Sequence, residues 1–174
     1  RGKSVNFVCK IKKLFREMKI VLICVGQMKE QPLRELMDRY ASRIPYYMPF
    51  EAVVIPDIKT TRGLTPDVQK SKEGEAILAR TAPGDFVVLM DERGREMTSR
   101  EFAGFIDRKA STLSRNLVFV IGGPYGFSKA VYDRADSLMG LSKMTFTHEM
   151  ARVLTAEQIY RAQTILRGEP YHHD

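Results

Sequence analysis

Three histidines, His148, His172 and His173, are the side chains of this sequence that ordinarily titrate near neutral pH. Two of them sit in the terminal run Tyr171-His172-His173-Asp174, behind Pro170. An aromatic ring beside an imidazole can stack on a nucleobase and hydrogen-bond its edge; a chain end of this kind can equally fray. His148 precedes a helical run, with Glu149 in the first turn and Arg152 one turn on. It is a candidate acid–base or base-contacting group, and equally a helix-terminal residue with a structural hydrogen bond. Arg152 can hold a phosphate or nucleobase oxygen, or close a surface or intersubunit ion pair. Glu157 and Arg161, four apart in the favourable order, read as a structural pair.

A second candidate is Gly122-Gly123-Pro124-Tyr125-Gly126, between the apolar run Leu117–Ile121 and a helix-like Ser128–Tyr132. A strand that ends in glycines and feeds a helix is where α/β proteins cradle ligands. A glycine pair can also serve only a tight turn. The phosphate motifs are absent: Phe127 stands where a Walker lysine belongs, and only G-x-x-G remains of the dinucleotide fingerprint. There is no His-x-x-x-His and no carboxylate cluster spaced for a metal, and adjacent histidines alone are weak metal ligands.

These residues need elements to position them. Lys19–Gly26, Phe50–Ile55, Phe86–Met90 and Leu117–Ile121 read as strands, with Ser137–Leu141 as a weaker fifth. Leu33–Ile44 reads as a helix, with Pro32 in its first turn and Pro45 at its end. The polar run from Asp57 opens as a mobile loop and then becomes a helix over about 66–81 with Thr65 as N-cap. Asp91-Glu92-Arg93-Gly94 reads as a turn, and Thr98-x-x-Glu101 as a capping box before the next helix. A last helix, about 149–166, carries apolar residues on two sides and stops at Gly168. Strands alternating with helices specify one α/β domain, a mainly parallel sheet with helices on both faces. The two apolar rows, Met150/Val153/Leu154 and Ala151/Thr155/Ile159/Ala162/Leu166, fit a helix sandwiched inside its own chain or covered by a second subunit.

The net charge of +7 is uneven. Residues 1–17 hold six basic residues and one acid, whereas the remainder holds 22 bases against 20 acids. The leader reads as dispensable, since Met18-Lys19 opens directly into a strand and residues 1–17 lack a secretory signal's apolar core. Cys9 and Cys24 form neither a disulfide framework nor a zinc site, which points to a reducing, cytoplasmic setting. No apolar run approaches the roughly 20 residues of a membrane helix.

Taken together, "IGGPYG", "LSKMTF", "HEMARVL", "EQIYRA" and the ending "PYHH" resemble the SPOUT methyltransferases, specifically the group that methylates N3 of a pseudouridine in large-subunit rRNA. The resemblance covers residues 18–174 and leaves the leader without a counterpart. It implies a C-terminal trefoil knot, which neither periodicity nor the usual topology rules would suggest. It also implies a homodimer, S-adenosylmethionine as methyl donor, an assembled ribosome as substrate, and no metal. Carried across by resemblance, the cofactor residues are Met90, Gly122, Leu141, Ser142, Lys143, Met144, Thr145 and Phe146. Tyr171 and His172 become candidate catalytic residues, and His148, Arg152 and His173 candidate substrate contacts. The family commonly has Leu at position 90 and Lys or Arg at position 173, so the resemblance implies that this chain has weakened a terminal charge or made it pH-dependent. Two rivals remain at this stage: an RNA-binding or ribosome-assembly factor without catalysis, and a nucleotide-dependent α/β enzyme, which the absent phosphate motifs disfavour.

Overall fold

The computed structural model describes residues 18–58, 65–113 and 115–173. The basic leader, residues 59–64 of the loop expected to be mobile, and Asp174 lie outside the described residues. The chain runs β1 (Ile20–Val25), α1 (Gln31–Arg43), a 3-10 turn (Ile44–Tyr46), β2 (Phe50–Ile55), α2 (Pro66–Leu78), β3 (Phe86–Glu96), α3 (Ser99–Thr112), β4 (Leu117–Ile121), α4 (Lys129–Arg134), β5 (Ser137–Gly140) and α5 (His148–Leu166). The five strands form one sheet in the order β2-β1-β4-β3-β5, and every pairing is parallel.

Each face of the sheet has its own core. Ile20, Leu22 and Cys24 of β1, with Phe119 and Ile121 of β4, pack against α1, α3 and α5. The alternate residues Val21, Ile23 and Val25, with Val118 and Val120, meet Ile77 of α2 and Val131 of α4. Covering both faces buries every residue of β1 and β4, which is why both read as unbroken apolar runs. Burying each such side chain stabilises the fold by roughly 1.5–3 kcal/mol. Cys24 lies in this interior, and burial pushes its thiol up to about 12, so it is no nucleophile at neutral pH.

The helix starts follow their capping residues. Thr65 Oγ1 accepts from Val68 N at 3.3 Å, and Thr147 Oγ1 from Met150 N at 3.2 Å. Thr98 and Glu101 form the reciprocal capping box, at 3.2 and 2.8 Å. Pro45 ends α1 by opening the 3-10 turn.

The expected turn at Asp91–Gly94 is strand instead. β3 continues to Glu96, and Met139 of β5 pairs first with Met90 and again with Arg95. The intervening residues arch over β5, so their polarity reflects solvent on one side rather than a chain reversal. The crossing is close. A Cβ on Gly94 would lie 2.3 Å from Met139 N, and one on Gly140 would lie 3.1 Å from Gly94 O. Glycine at both positions lets two backbones touch.

On α5, Val153, Ala156, Ile159 and Ala162 face the sheet core, Met150 and Leu154 are half-buried, and Leu166 is exposed. No described helix is long and apolar enough to cross a membrane.

Candidate functional site

The C-terminal ends of β3, β4 and β5 open onto one cleft of about 750 Å³. Three segments wall it: Met90–Arg93 from β3, Ile121–Phe127 after β4, and the stretch from Leu141 to His148 after β5. Loops beyond the carboxyl ends of parallel strands are the usual ligand site of such sheets. Met90, Gly122, Leu141, Ser142, Met144, Thr145, Phe146 and His148, read separately from the sequence, therefore meet in space. Lys143 is exposed beside them and does not line the cleft.

A smaller cavity of about 240 Å³ adjoins it on the α3/α5 side and shares Met90, Met139, Leu141 and Phe146. Thr155 of α5 lines this cavity, and its buried hydroxyl has no hydrogen-bond partner. An orphaned polar atom in an apolar pocket is costly unless a ligand or water meets it. Sequence reasoning counted Thr155 as part of an apolar row; nothing in its type or spacing marked it.

The glycine loop is fixed by its neighbours. Gly126 N donates to Gly123 O at 3.1 Å and Gly126 has φ 74°. A Cβ on Gly122 would meet the Phe127 ring at 3.0 Å, and one on Gly123 would fall 2.6 Å from Oε2 of buried Glu73. The pair is needed for close packing behind the loop as well as for access in front of it.

His148 stands at the first turn of α5, on the cleft wall. Glu149, next to it, turns away and accepts from the backbone N–H of Lys29 at 3.1 Å and of Glu30 at 3.2 Å. Those bonds, chiefly that from Lys29, hold its carboxyl below the usual carboxylate range despite the opposing effect of burial. The bonds tie α5 to the chain entering α1. Because the folded carboxyl is the stronger acid, this contribution is present above its unfolded value and is lost as pH falls through the folded one. Glu149→Gln should therefore destabilise the protein by about 1–2 kcal/mol at pH 7. The gap from wild type should close in urea melts at acid pH; a gap independent of pH would mean that the charge plays no part.

Arg152 is not on the cleft. It is 1% exposed, and its guanidinium donates to Gly26 O at 2.7 Å and to Val25 O. It satisfies carbonyls left over where β1 ends at Gly26, whose φ of 88° turns the chain away. The expected substrate contact is thus replaced by a structural one. Its partners are backbone atoms more than 120 residues earlier, a relation that no local pattern displays.

Tyr171 and His172 are not on the cleft either. The tail folds back on the far end of α5. Tyr171 donates to Glu157 Oε1 at 3.1 Å, packs edge-on against Tyr160 at 4.8 Å between ring centres, and lies under Arg161. Glu169 accepts from the Tyr47 hydroxyl at 2.6 Å. Burial, and then the hydrogen bond with Tyr40, raise the Tyr171 pKa, so its hydroxyl remains a donor near neutral pH. Arg161 Nη1 lies 3.3 Å from His172 Nδ1. A guanidinium only donates, so that contact makes Nδ1 the acceptor and leaves the proton on Nε2. Glu157–Arg161 is the structural pair expected, at 2.6 Å. His173 is exposed. Nine residues of helix, about 13 Å at 1.5 Å each, separate His148 from Glu157.

The residues that the sequence did not single out are Asp91, Arg93 and Tyr132. They form a polar network on the cleft wall, in which the Tyr132 hydroxyl and the Arg93 guanidinium both donate to Asp91. These donors hold the Asp91 carboxyl below its ordinary range, against the effect of burial. No group of His, Cys, Asp and Glu suited to a metal occurs among the described residues.

Residues 18–172 match the family model described as "Predicted SPOUT methyltransferase". Proteins named "Ribosomal RNA large subunit methyltransferase H" are similar along their whole length. The one from Parabacteroides distasonis is 51% identical over 157 residues, covering 90% of this chain and 100% of its own. The one from Christiangramia forsetii is 50% identical over 156 residues, covering 90% and 99%. Among solved structures, a "Probable Methyltransferase from Bordetella pertussis Tohama I" aligns with 89% of this chain and 99% of its own, at 16% identity and a TM-score of 0.49. The parallel sheet, the cleft at its carboxyl edge and the match across residues 18–172 make one statement: this chain belongs to the SPOUT methyltransferase family.

Proposed function

We propose that the protein transfers a methyl group from S-adenosylmethionine to N3 of a pseudouridine in large-subunit rRNA of the assembled ribosome. The observation that carries this reading is the pair of joined cavities built from Met90, Gly122 and the Leu141–Phe146 segment, free of phosphate-binding machinery. The pair fits the cofactor's chemistry. An adenine needs an apolar slot with a few polar atoms, which Met90, Phe102, Leu154 and the orphaned Thr155 hydroxyl supply. The larger cleft has room for the rest of the cofactor and for an incoming base, within the usual range of roughly 300–1,000 Å³ for ligand sites. When bound, S-adenosylmethionine supplies an electrophilic sulfonium methyl.

The chain's residues have the remaining work. The walls of the cleft hold donor and acceptor in line and exclude water, which is the larger part of catalysis for a displacement of this kind. The imide N3–H must lose its proton. With its proton on Nε2, His172 is suited to donate to a uracil oxygen as negative charge develops, leaving the proton to water. Tyr171, kept protonated, is suited to hold the tail and to stack. Neither lines either cavity, so in this reading they serve the cleft of a second copy. The exposed and half-buried apolar residues of α5 support a homodimer arranged through that helix. The threaded C-terminal topology is what the family leads one to expect of residues 117–166. In this reading the protein works in the cytoplasm, and residues 18–174 act as a single domain without need of the leader.

Calorimetry tests the cofactor half of this proposal. The protein should bind S-adenosylmethionine and not ATP or NAD. Gly122→Val should weaken binding at least about tenfold, roughly 1.4 kcal/mol, by filling the loop and pressing on Phe127. Unchanged affinity in a folded variant would remove Gly122 from the site.

A further inference from the structure

Beyond the segment assigned to the cofactor, the mouth of the cleft carries an exposed ring at Tyr125. Among the described residues, seven large apolar or aromatic side chains are markedly exposed, and three of them, Tyr125, Met144 and Phe146, rim this one opening. Tyr125 is 50% exposed and Met144 75%. Such clustering marks a surface that something else covers. Tyr125 occupies the tip of the Gly123–Gly126 turn, which Pro124 and the Gly126-to-Gly123 hydrogen bond stiffen. Its hydroxyl makes no hydrogen bond among the described residues, so the turn presents the ring without tethering it.

The wall of the same cleft carries a cation held in one orientation. Arg93 donates through Nε at 3.1 Å and Nη2 at 3.3 Å to Asp91, donates to the Tyr132 hydroxyl, and lies 4.9 Å over the Tyr132 ring. Its side chain is nonetheless 66% exposed, and Nη1 makes no bond among the described residues. Asp91 and Tyr132 thus fix a guanidinium at the rim with one edge turned outward. An exposed ring and a fixed guanidinium on the walls of one cleft match a nucleotide, which has a flat face to stack and a phosphodiester to pair. A second copy of the chain would cover the apolar side chains but would give no use to the edge of Arg93 that its bonds to Asp91 leave turned outward.

We propose that the mouth of the cleft grips the substrate RNA, with Tyr125 stacking on an unpaired nucleobase and Arg93 binding the adjoining phosphodiester. The proposal rests on the rRNA methyltransferase reading and names two residues that position its substrate.

The test uses the full chain with Tyr125→Ala, Tyr125→Phe and Arg93→Gln. Calorimetry measures cofactor affinity, and methylation of unmodified ribosomes gives KM and kcat at several salt concentrations. Filter binding of a single-stranded RNA oligonucleotide is measured alongside. Tyr125→Ala should raise KM for ribosomes about tenfold and weaken oligonucleotide binding similarly, with cofactor affinity unchanged. Tyr125→Phe should restore both. Arg93→Gln should reduce the slope of log affinity against log salt by about one contact. An unchanged KM in Tyr125→Ala overturns the stacking role. Weakened cofactor binding would make Tyr125 a cofactor wall, and a changed sedimentation mass would make the patch a dimer contact; either overturns the proposal. If the wild type methylates nothing yet binds RNA through Tyr125, the function reading fails and this one stands. If oligonucleotide binding is indifferent to Tyr125, this one fails.

Discussion

Gly94→Ala should unfold much of the protein at temperatures where the wild type is intact. The added Cβ would sit 2.3 Å from Met139 N and 2.6 Å from the carbonyl carbon of Leu138. Both are backbone atoms of a paired strand, so no side chain can swing aside. Relief requires lifting the β3 arch off β5, which breaks the second pairing at Met139 and opens the floor shared by the two cavities. Overpacking of this severity costs about 3 kcal/mol or more. In a chain of this size that lowers Tm by roughly 6–12 °C. Gly104→Ala is the control. Gly104 is inside α3, where a Cβ meets only the tip of Arg108 at 3.3 Å, so alanine should be neutral or stabilising by up to about 1 kcal/mol. Equal Tm values for the two variants would mean that the crossing is looser than described.

Removing residues 169–174 should leave cofactor affinity nearly intact and lower methyl transfer by at least about 10²-fold. None of these residues lines either cavity. They do dock. The truncation deletes the Tyr47–Glu169 bond and the packing of Tyr171 on Tyr160 and Arg161. A melt must therefore accompany the assay, because loss of these contacts alone predicts a modest drop in stability. His172→Ala separates the roles further. A base at this position gives the rate an acid limb that the variant lacks. A donor, the role that the Arg161 contact favours, gives a lower rate with the same profile. Full activity of the truncated enzyme would reduce the tail to a strap on α5.

Sequence periodicity reached most of this architecture and stopped at particular places. β4 was legible residue by residue because burial on both faces makes it an unbroken apolar run, and the edge strand β2 because Pro49 and Pro56 bracket a short apolar stretch. The threonine caps at Thr65 and Thr98 were legible because their chemistry is local. The second half of β3 was not: Asp91–Glu96 is strand only because β5 passes beneath it, and β5 lies more than 40 residues later. Arg152 was misplaced for the same kind of reason, since its role depends on where β1 ends in space. The cofactor segment was legible as a set only through family resemblance, and the structure shows why it is a set: three chain segments far apart in sequence end at one edge of the sheet. The Asp91–Arg93–Tyr132 network joins a strand to a helix and had no signal beyond a run of charge.

The most direct measurement is transfer of labelled methyl from S-adenosylmethionine to ribosomes that lack the modification, followed by nucleoside analysis of the large-subunit rRNA. The account predicts close to one methyl per large subunit, recovered at N3 of a pseudouridine, with the small subunit unlabelled. Cofactor binding without any methyl in the rRNA would contradict it and leave a non-catalytic RNA-binding factor in its place.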